Sequence, residues 1–163
     1  MKKISLLAVL TVLFACGGSK SSTKQTVGNS IESGCPKNGE CLVEVVKDSA
    51  LVKKENSGGR PYFEMESKPG KTVIKYYFNK KDNPAIQDDS YREEIMIETD
   101  SDLTKINSAN TKVVFGVFCF CRDRAGYYEV KNATAEYKDK KVSLTLPEVV
   151  GGQLTHNIVI NIK

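Results

Sequence analysis

The stretch Val113-Val114-Phe115-Gly116-Val117-Phe118-Cys119-Phe120-Cys121 is apolar at almost every position. Successive side chains of an extended strand point to opposite faces of its sheet. One face would carry Phe115, Val117, Cys119 and Cys121, and the other Val114, Phe118 and Phe120. A strand that is apolar on both faces is typical of the middle of a sheet that is covered on both sides. We therefore predict a central, doubly buried strand over this run.

Two later segments alternate between apolar and mainly polar residues. Val142 to Leu146 and Asn157 to Ile162 each place their apolar residues two positions apart. This period of two is the pattern of an antiparallel strand with one face on the core and one in water. We predict two half-exposed strands here.

The remaining strands are predicted from segments rich in β-branched and aromatic residues between turn signals. With the three already given, they make nine: Leu42–Val46, Ala50–Lys54, Tyr62–Glu66, Thr72–Phe78, Glu93–Thr99, Lys112–Cys121, Tyr127–Tyr137, Val142–Leu146 and Asn157–Ile162. Short strands at this spacing favour an all-β fold, either an antiparallel β-sandwich or a β-barrel. Only Ala85–Arg92 could hold a short helical turn.

The N-terminal segment has the build of a secretion signal. It opens with Met1-Lys2-Lys3, is apolar from Ile4 to Ala15 apart from Ser5 and Thr11, and ends Leu13-Phe14-Ala15-Cys16. A basic start, a short apolar run and a small residue before the cut form a signal peptide. The apolar run is too short for the roughly 20 residues that span a bilayer core. We predict a signal peptide over residues 1–15.

With cysteine after the small residue, this segment resembles the lipobox of bacterial lipoproteins. The resemblance implies cleavage before Cys16 and fatty acyl chains on the new N-terminus. It also implies a location, since an aspartate after the cysteine is the inner-membrane retention signal of many such proteins and Gly17 stands there instead. We expect a lipid anchor in the outer membrane, facing the periplasm. Display on the cell surface remains an alternative.

Residues 16–34 are almost without apolar side chains after the cysteine. Such a composition cannot bury enough surface to offset its ordering entropy, so we predict a flexible tether. Residues 35–163 have the length of a single domain with one core.

The charges are nearly balanced. Without Lys2 and Lys3, the 24 basic residues of the chain become 22 against 20 acidic ones, a net charge of +2, which gives no reason to expect a nucleic acid. One segment is nevertheless acidic and predicts an acidic edge that could hold a cation. Its acidic residues are Asp88, Asp89, Glu93, Glu94, Glu98, Asp100 and Asp102.

Four cysteines lie in the predicted domain: Cys35, Cys41, Cys119 and Cys121. In an extended strand, β-carbons two residues apart are about 6 to 7 Å apart, whereas a disulfide needs about 3.5 to 4.5 Å. We therefore predict that Cys119 and Cys121 do not bond each other, and we favour bridges from the turn at Cys35 and Cys41 to the central strand. One alternative is a local Cys35–Cys41 bridge with a strained or free pair at Cys119 and Cys121, and the other is a functional pair.

Catalytic and cofactor motifs are sparse. The chain has one histidine, His156, no phosphate-binding glycine loop and no nucleophile elbow. The sequence favours a non-enzymatic binding module, held on the membrane by acyl chains, with a protein partner in the envelope and no cofactor.

Two alternative functions stay open. One is a copper- or zinc-binding lipoprotein that uses the four cysteines, with Met65, Met96 and His156 as supplementary ligands. The other is a hydrolase of unknown type built on His156.

Overall fold

The structure of the protein, a computed structural model, describes residues 24–25 and 28–163. The predicted signal peptide 1–15 and the predicted lipidation site Cys16 lie outside this part of the chain. The described residues contain no helix that is long and apolar enough to cross a membrane.

The described chain forms ten strands and one short 3₁₀ helix. These are β1 (Lys24–Gln25), β2 (Ser30–Ser33), β3 (Gly39–Glu55), β4 (Pro61–Lys80), β5 (Tyr91–Asp100), the 3₁₀ helix (Leu103–Lys105), β6 (Lys112–Cys119), β7 (Gly126–Val130), β8 (Thr134–Lys138), β9 (Lys141–Thr145) and β10 (Asn157–Asn161).

The strands make two antiparallel sheets. The larger sheet has the order β1-β3-β4-β5-β6-β7, in which β1 is only two residues long, and the smaller sheet has the order β2-β10-β9-β8. Neither sheet of the described chain closes on itself, so the prediction of an all-β antiparallel sandwich is confirmed over the alternative barrel.

The main core lies between the two sheets. The larger sheet contributes the alternate residues of β3 to β6 that face inward, and the smaller sheet contributes the predicted apolar positions of β9 and β10. The fully enclosed members include Ile74, Tyr76, Phe78, Ile95, Ile97, Phe115, Val142 and Ile160. The period of two in the sequence therefore identifies the core face of these strands.

The β3–β4 hairpin is longer than predicted and sharply bent. Four predicted strands are here two strands of 17 and 20 residues. The bend falls where the pairing slips between Lys47 and Ser49, at Asp48 with φ 52° and opposite Gly70 with φ 83°. Because the Gly70 N–H donates to the Asp48 carboxylate at 3.2 Å, the two bent strands are tied together at this point.

Beyond the bend, the tip of the hairpin folds over the outer face of the larger sheet. The backbone N–H of Leu51 donates to the carboxylate of Glu98 on β5 at 2.7 Å, and Lys112 on β6 donates to the carbonyl of Leu51 at 3.1 Å. A second apolar cluster is enclosed beneath the tip. Its buried members are Leu51, Phe63, Val73, Met96 and Val114. The middle of the larger sheet is thus covered on both faces.

The predicted central strand is confirmed in its first half. Residues 113–117 of β6 are all buried, with β5 on one side and β7 on the other. The prediction is wrong for the end of the run, because β6 ends at Cys119 and Phe120 is exposed. The hairpin tip covers the outer face only as far as Val114 and Tyr127.

Three further predictions need correction. Two parts of the predicted flexible tether are paired strands: Lys24–Gln25 pair with β3 as β1, and Ser30–Ser33 pair with β10 as β2. The predicted strand Tyr127–Tyr137 is two strands, β7 and β8, that belong to different sheets. The segment Ala85–Arg92 holds turns followed by the start of β5 rather than a helical turn.

The predicted acidic edge is also wrong, because β5 lies inside the sheet and its acids alternate between the two faces. Glu93 points into the main core, whereas Glu94 and Glu98 lie on the outer face. Most acids of the segment have a partner of their own: Glu94 pairs with Lys75 at 2.9 Å and Asp100 with Lys71 at 2.8 Å. Acidic residues that are neighbours in the sequence are therefore separated in the sheet.

Candidate functional site

One end of the sandwich gathers four irregular segments. They are Gly34 to Asn38, Lys81 to Ser90, Phe120 to Ala125 and Leu146 to His156, and the ends of β3 and β6 that carry Cys41 and Cys119 lie beside them. The strand register brings them together, since Gly39 lies opposite Lys80 and Tyr91 lies opposite Cys119. We call this end of the molecule the loop-end surface.

The four domain cysteines lie on this surface as two local pairs. Cys35 is bonded to Cys41, with their Cα atoms 5.9 Å apart, and Cys119 is bonded to Cys121, with their Cα atoms 5.1 Å apart. The prediction that Cys119 and Cys121 do not bond each other is therefore wrong. It assumed an extended strand through Cys121, but β6 ends at Cys119 and the chain bends at Phe120.

The favoured cross-link between the N-terminal turn and the central strand is also wrong, for a reason that lies in the strand order. Cys41 is in β3, and β4 and β5 separate this strand from β6. Three strand spacings of about 4.8 Å place Cys41 roughly 14 Å from β6, whereas bonded cysteines have Cα atoms about 4.4 to 6.8 Å apart. Only the local pairing fits this sheet.

Local pairing changes what the bridges contribute to stability. In the chain-entropy model, a bridge that closes a loop of about 80 residues stabilises by over 4 kcal/mol, whereas loops of seven and three residues give about 2.4 and about 1.6 kcal/mol. The Cys119–Cys121 bridge is the shorter of the two, with a sequence separation of 2. By the chain-entropy model, it is therefore the less stabilising of the two bridges.

A buried carboxylate holds the Leu146–His156 loop against the larger sheet. Glu93 is fully buried, and its carboxylate accepts hydrogen bonds from the backbone N–H groups of Leu154 at 2.6 Å and Thr155 at 2.9 Å. The Tyr91 hydroxyl donates to the same carboxylate. Burial, followed by the hydrogen bond to Glu93 and its negative charge, raises the pKa of Tyr91. The hydroxyl therefore stays protonated and able to donate.

An open groove of about 520 Å³ runs beside the Cys119–Cys121 turn. The groove is lined by Phe118, Cys119 and Phe120, by the start of β5 and by the end of β4. The guanidinium of Arg92 lies 4.3 Å from the centre of the Phe118 ring, and this contact orders both side chains. Phe120 projects beside the groove with 78% of its surface exposed.

A second cavity of about 350 Å³ adjoins this groove and shares Tyr91, Cys119 and Phe120 with it. Both Cys119 and Cys121 line it, together with Arg124 from the following turn and Leu154 from the loop that Glu93 holds. The guanidinium of Arg124 donates to the carbonyl of Gly151 at 2.8 Å, so this turn and the Leu146–His156 loop are linked directly.

The charges of the loop-end surface are mixed. Lys80 pairs with Asp89 at 2.7 Å, and this contact, followed by a hydrogen bond from the backbone N–H of Asn83, holds the pKa of Asp89 below its usual range. Lys37, Lys81 and Arg122 are exposed and make no ion pair with the described part of the chain. The loop-end surface thus presents basic side chains without ion pairs in the described chain, next to exposed apolar side chains.

The structure does not gather the residues proposed for a soft-metal site. The cysteines are bonded in separate pairs, Met96 is buried under the hairpin tip and Met65 is exposed on that hairpin. Residues 24–25 and 28–163 contain no group of three or more histidine, cysteine or acidic side chains suited to a metal ion.

The residue proposed for a hydrolase lies at the rim of the loop-end surface. His156 is exposed, and its Nε2 lies 3.2 Å from the backbone carbonyl of Gln153 rather than beside a hydroxyl or a carboxylate. This contact orients the ring without activating a nucleophile.

Sequence reasoning missed Glu93 as the residue that shapes this surface. A signal was present, because Glu93 is in phase with Ile95 and Ile97, which face the core. A carboxylate on a core face requires hydrogen-bond donors nearby. The sequence does not show that these donors come from a loop 61 residues further along the chain.

No protein-family model, curated protein or solved structure matches this chain. Its function is therefore argued from its own residues.

We predict that Glu93→Ala lowers the free energy of unfolding by about 3 kcal/mol, because two buried N–H groups lose their acceptor. Urea unfolding followed by circular dichroism measures this change. Glu136→Ala, which removes an exposed acid from β8, is the control and should change stability by less than about 0.5 kcal/mol. Equal stability of the two variants would contradict the proposed anchoring role.

Proposed function

We propose that the protein is an acylated envelope lipoprotein, anchored through Cys16, whose loop-end surface binds a partner protein. The observation that carries the binding role is Phe120, which is 78% exposed between two bonded cysteines and beside an open groove. A large aromatic side chain costs free energy when it is left in water, and aromatic residues are frequent binding hot spots.

The apolar character of this surface extends beyond Phe120. Ile86 in the Lys81–Ser90 loop is 55% exposed and Leu154 in the Leu146–His156 loop is 42% exposed. Arg92 stacks on Phe118 in the wall of the groove. Exposed apolar and aromatic groups with arginine beside them have the composition of a protein interface, which supports a protein rather than a nucleic acid as the partner.

The course of the chain supports an orientation in which this surface faces away from the membrane. Strand β2 begins at Ser30, opposite Asn161, and runs towards Gly34 and the Cys35–Cys41 turn. The chain therefore reaches the folded domain from the end opposite the loop-end surface. Strand β1 pairs Lys24 and Gln25 with Val46 and Val45 of β3, so the predicted tether is limited to residues 16–23, which lie outside the described part of the chain.

The proposed location is the outer membrane, with the domain in the periplasm. It rests on Gly17, which is not the acidic residue that follows the cysteine of retained lipoproteins. Protease added to intact cells separates this location from the alternative, the cell surface, because only a surface-exposed domain would be degraded.

We predict that a Cys16→Ala protein loses its acyl anchor and no longer fractionates with membranes, whereas the parent protein does. Two or more acyl chains hold a protein durably, at about 0.8 kcal/mol per buried methylene. Membrane fractionation with alkaline washing and intact-mass measurement tests this. Cys121→Ser is a matched control that keeps the anchor. A Cys16→Ala protein that stays with the membranes would contradict the proposal.

We predict that Phe120→Ser weakens partner binding by about 30-fold, the effect of losing roughly 2 kcal/mol at a hot spot. Crosslinking of the tagged, full-length protein in intact cells identifies the partner, and titration with the purified partner gives Kd. Met65→Ser is the control, because Met65 is also an exposed apolar residue, 39% exposed, but lies on the folded hairpin. Equal partner affinity in both variants would contradict the proposed surface.

A further inference from the structure

Both cysteines of the Cys119–Cys121 bridge are half-buried and line an open depression of the surface. They line the cavity of about 350 Å³, and Cys119 also lines the adjoining groove of about 520 Å³. In the other bridge, Cys35 is exposed, and the sulfur of Cys41 lies 3.0 Å from the hydroxyl of Tyr76, which is buried in the main core. Solvent reaches both bridges, so they differ in what surrounds them and in the length of the loop that each one closes.

The Cys119–Cys121 bridge connects parts of the chain that are already close together. It joins residues two apart in the sequence. The strand that leads into it is already fixed by pairing with β5 on one side and β7 on the other. A bridge that closes so short a loop constrains the unfolded chain less than the Cys35–Cys41 bridge does. We therefore expect the fold to persist when the Cys119–Cys121 bridge opens.

The surroundings of the bridge favour the thiolate form of a released cysteine. Arg124 lines the same cavity as both sulfur-bearing residues, and Arg122 follows Cys121 directly and is exposed. Nearby guanidinium groups stabilise a thiolate, which makes the cysteine a better leaving group in disulfide exchange. Phe120 adds an exposed apolar contact for an incoming chain.

We propose that Cys119 and Cys121 form a thiol–disulfide exchange site whose substrates are cysteine thiols of envelope proteins. This activity goes beyond the proposed binding function and needs no stable partner. It uses the accessible bridge, the arginines beside it and the exposed ring of Phe120.

The exchange has two steps. A substrate thiolate attacks the Sγ of one cysteine, the bond between the two sulfurs breaks, and the other Sγ leaves with the electron pair as a thiolate beside Arg124. A second thiolate of the substrate then attacks the substrate sulfur of the mixed disulfide and releases the remaining cysteine. The substrate loses two electrons and two protons in forming its disulfide, and the Cys119–Cys121 pair becomes a dithiol. A low-molecular-weight disulfide returns the pair to the bridged form.

The internal control is the Cys35–Cys41 bridge of the same molecule. The full-length protein with both bridges closed is incubated with reduced glutathione, samples are quenched with acid and alkylated, and peptide mass spectrometry follows each pair. We expect the Cys119–Cys121 pair to open at least about tenfold faster, with unchanged circular dichroism. Equal opening rates, or earlier opening of Cys35–Cys41, would overturn the proposal.

A second measurement tests exchange with a substrate. A fluorescent peptide with two cysteines separated by two residues is mixed with one equivalent of the oxidised protein, and disulfide formation in the peptide is followed by chromatography. The parent protein and the Cys35→Ser/Cys41→Ser double variant should oxidise the peptide, whereas the Cys119→Ser/Cys121→Ser double variant should not. Arg124→Gln should slow the reaction several-fold. Peptide oxidation that survives the loss of Cys119 and Cys121 would overturn the site.

Failure of this proposal and failure of the proposed function give different results. The glutathione and peptide assays need no partner from the envelope. A chain whose bridge resists exchange, but whose partner binding depends on Phe120, would be a binding module only.

Discussion

Two strands, β4 and β5, lie between the strand that carries Cys41 and the strand that carries Cys119. This separation is the constraint on which the loop-end surface depends. Because a disulfide cannot reach across three strand spacings, each cysteine bonds its neighbour in the sequence. The Cys119–Cys121 bond in turn accompanies the bend that ends β6 and exposes Phe120. Strand order therefore decides the chemistry of the surface.

The larger sheet is packed on both faces, and it therefore holds the turns of the loop-end surface in fixed positions. The smaller sheet closes the inner face, and the bent β3–β4 hairpin closes the outer face over Val73, Met96 and Val114. Glu93 extends this base to the Leu146–His156 loop through two backbone hydrogen bonds. The exposed groups at the loop end are thus carried by ordered elements. Such ordering lowers the entropy that a partner must offset on binding.

The fold class and the core faces could be predicted from the sequence because they follow from local periodicity. Val142 to Leu146 and Ile158 to Ile160 alternate as half-buried strands do, and they lie in the core as expected. The bend at Asp48 and Gly70 could not be predicted, because it depends on the hairpin tip finding the outer face of β5 and β6. Periodicity identifies a strand and its faces, but it does not determine its neighbours.

The same limit explains the candidate site. The sequence identifies the four cysteines as candidates for bridges, but their pairing depends on the strand order and on the point at which β6 ends. The acids of residues 88–102 are clustered in the sequence, but the pleat of β5 sends Glu93 and Glu94 to opposite faces. Neighbours in the sequence are separated in the sheet, and the groups that form the loop-end surface come from four distant segments.

The most direct measurement of this account is a disulfide map of the full-length protein, purified from the envelope with free thiols blocked at lysis and digested without reduction. The account predicts peptides that contain the Cys35–Cys41 and Cys119–Cys121 bonds. Peptides that link Cys35 or Cys41 to Cys119 or Cys121 would contradict it, since β4 and β5 separate the strand of Cys41 from the strand of Cys119.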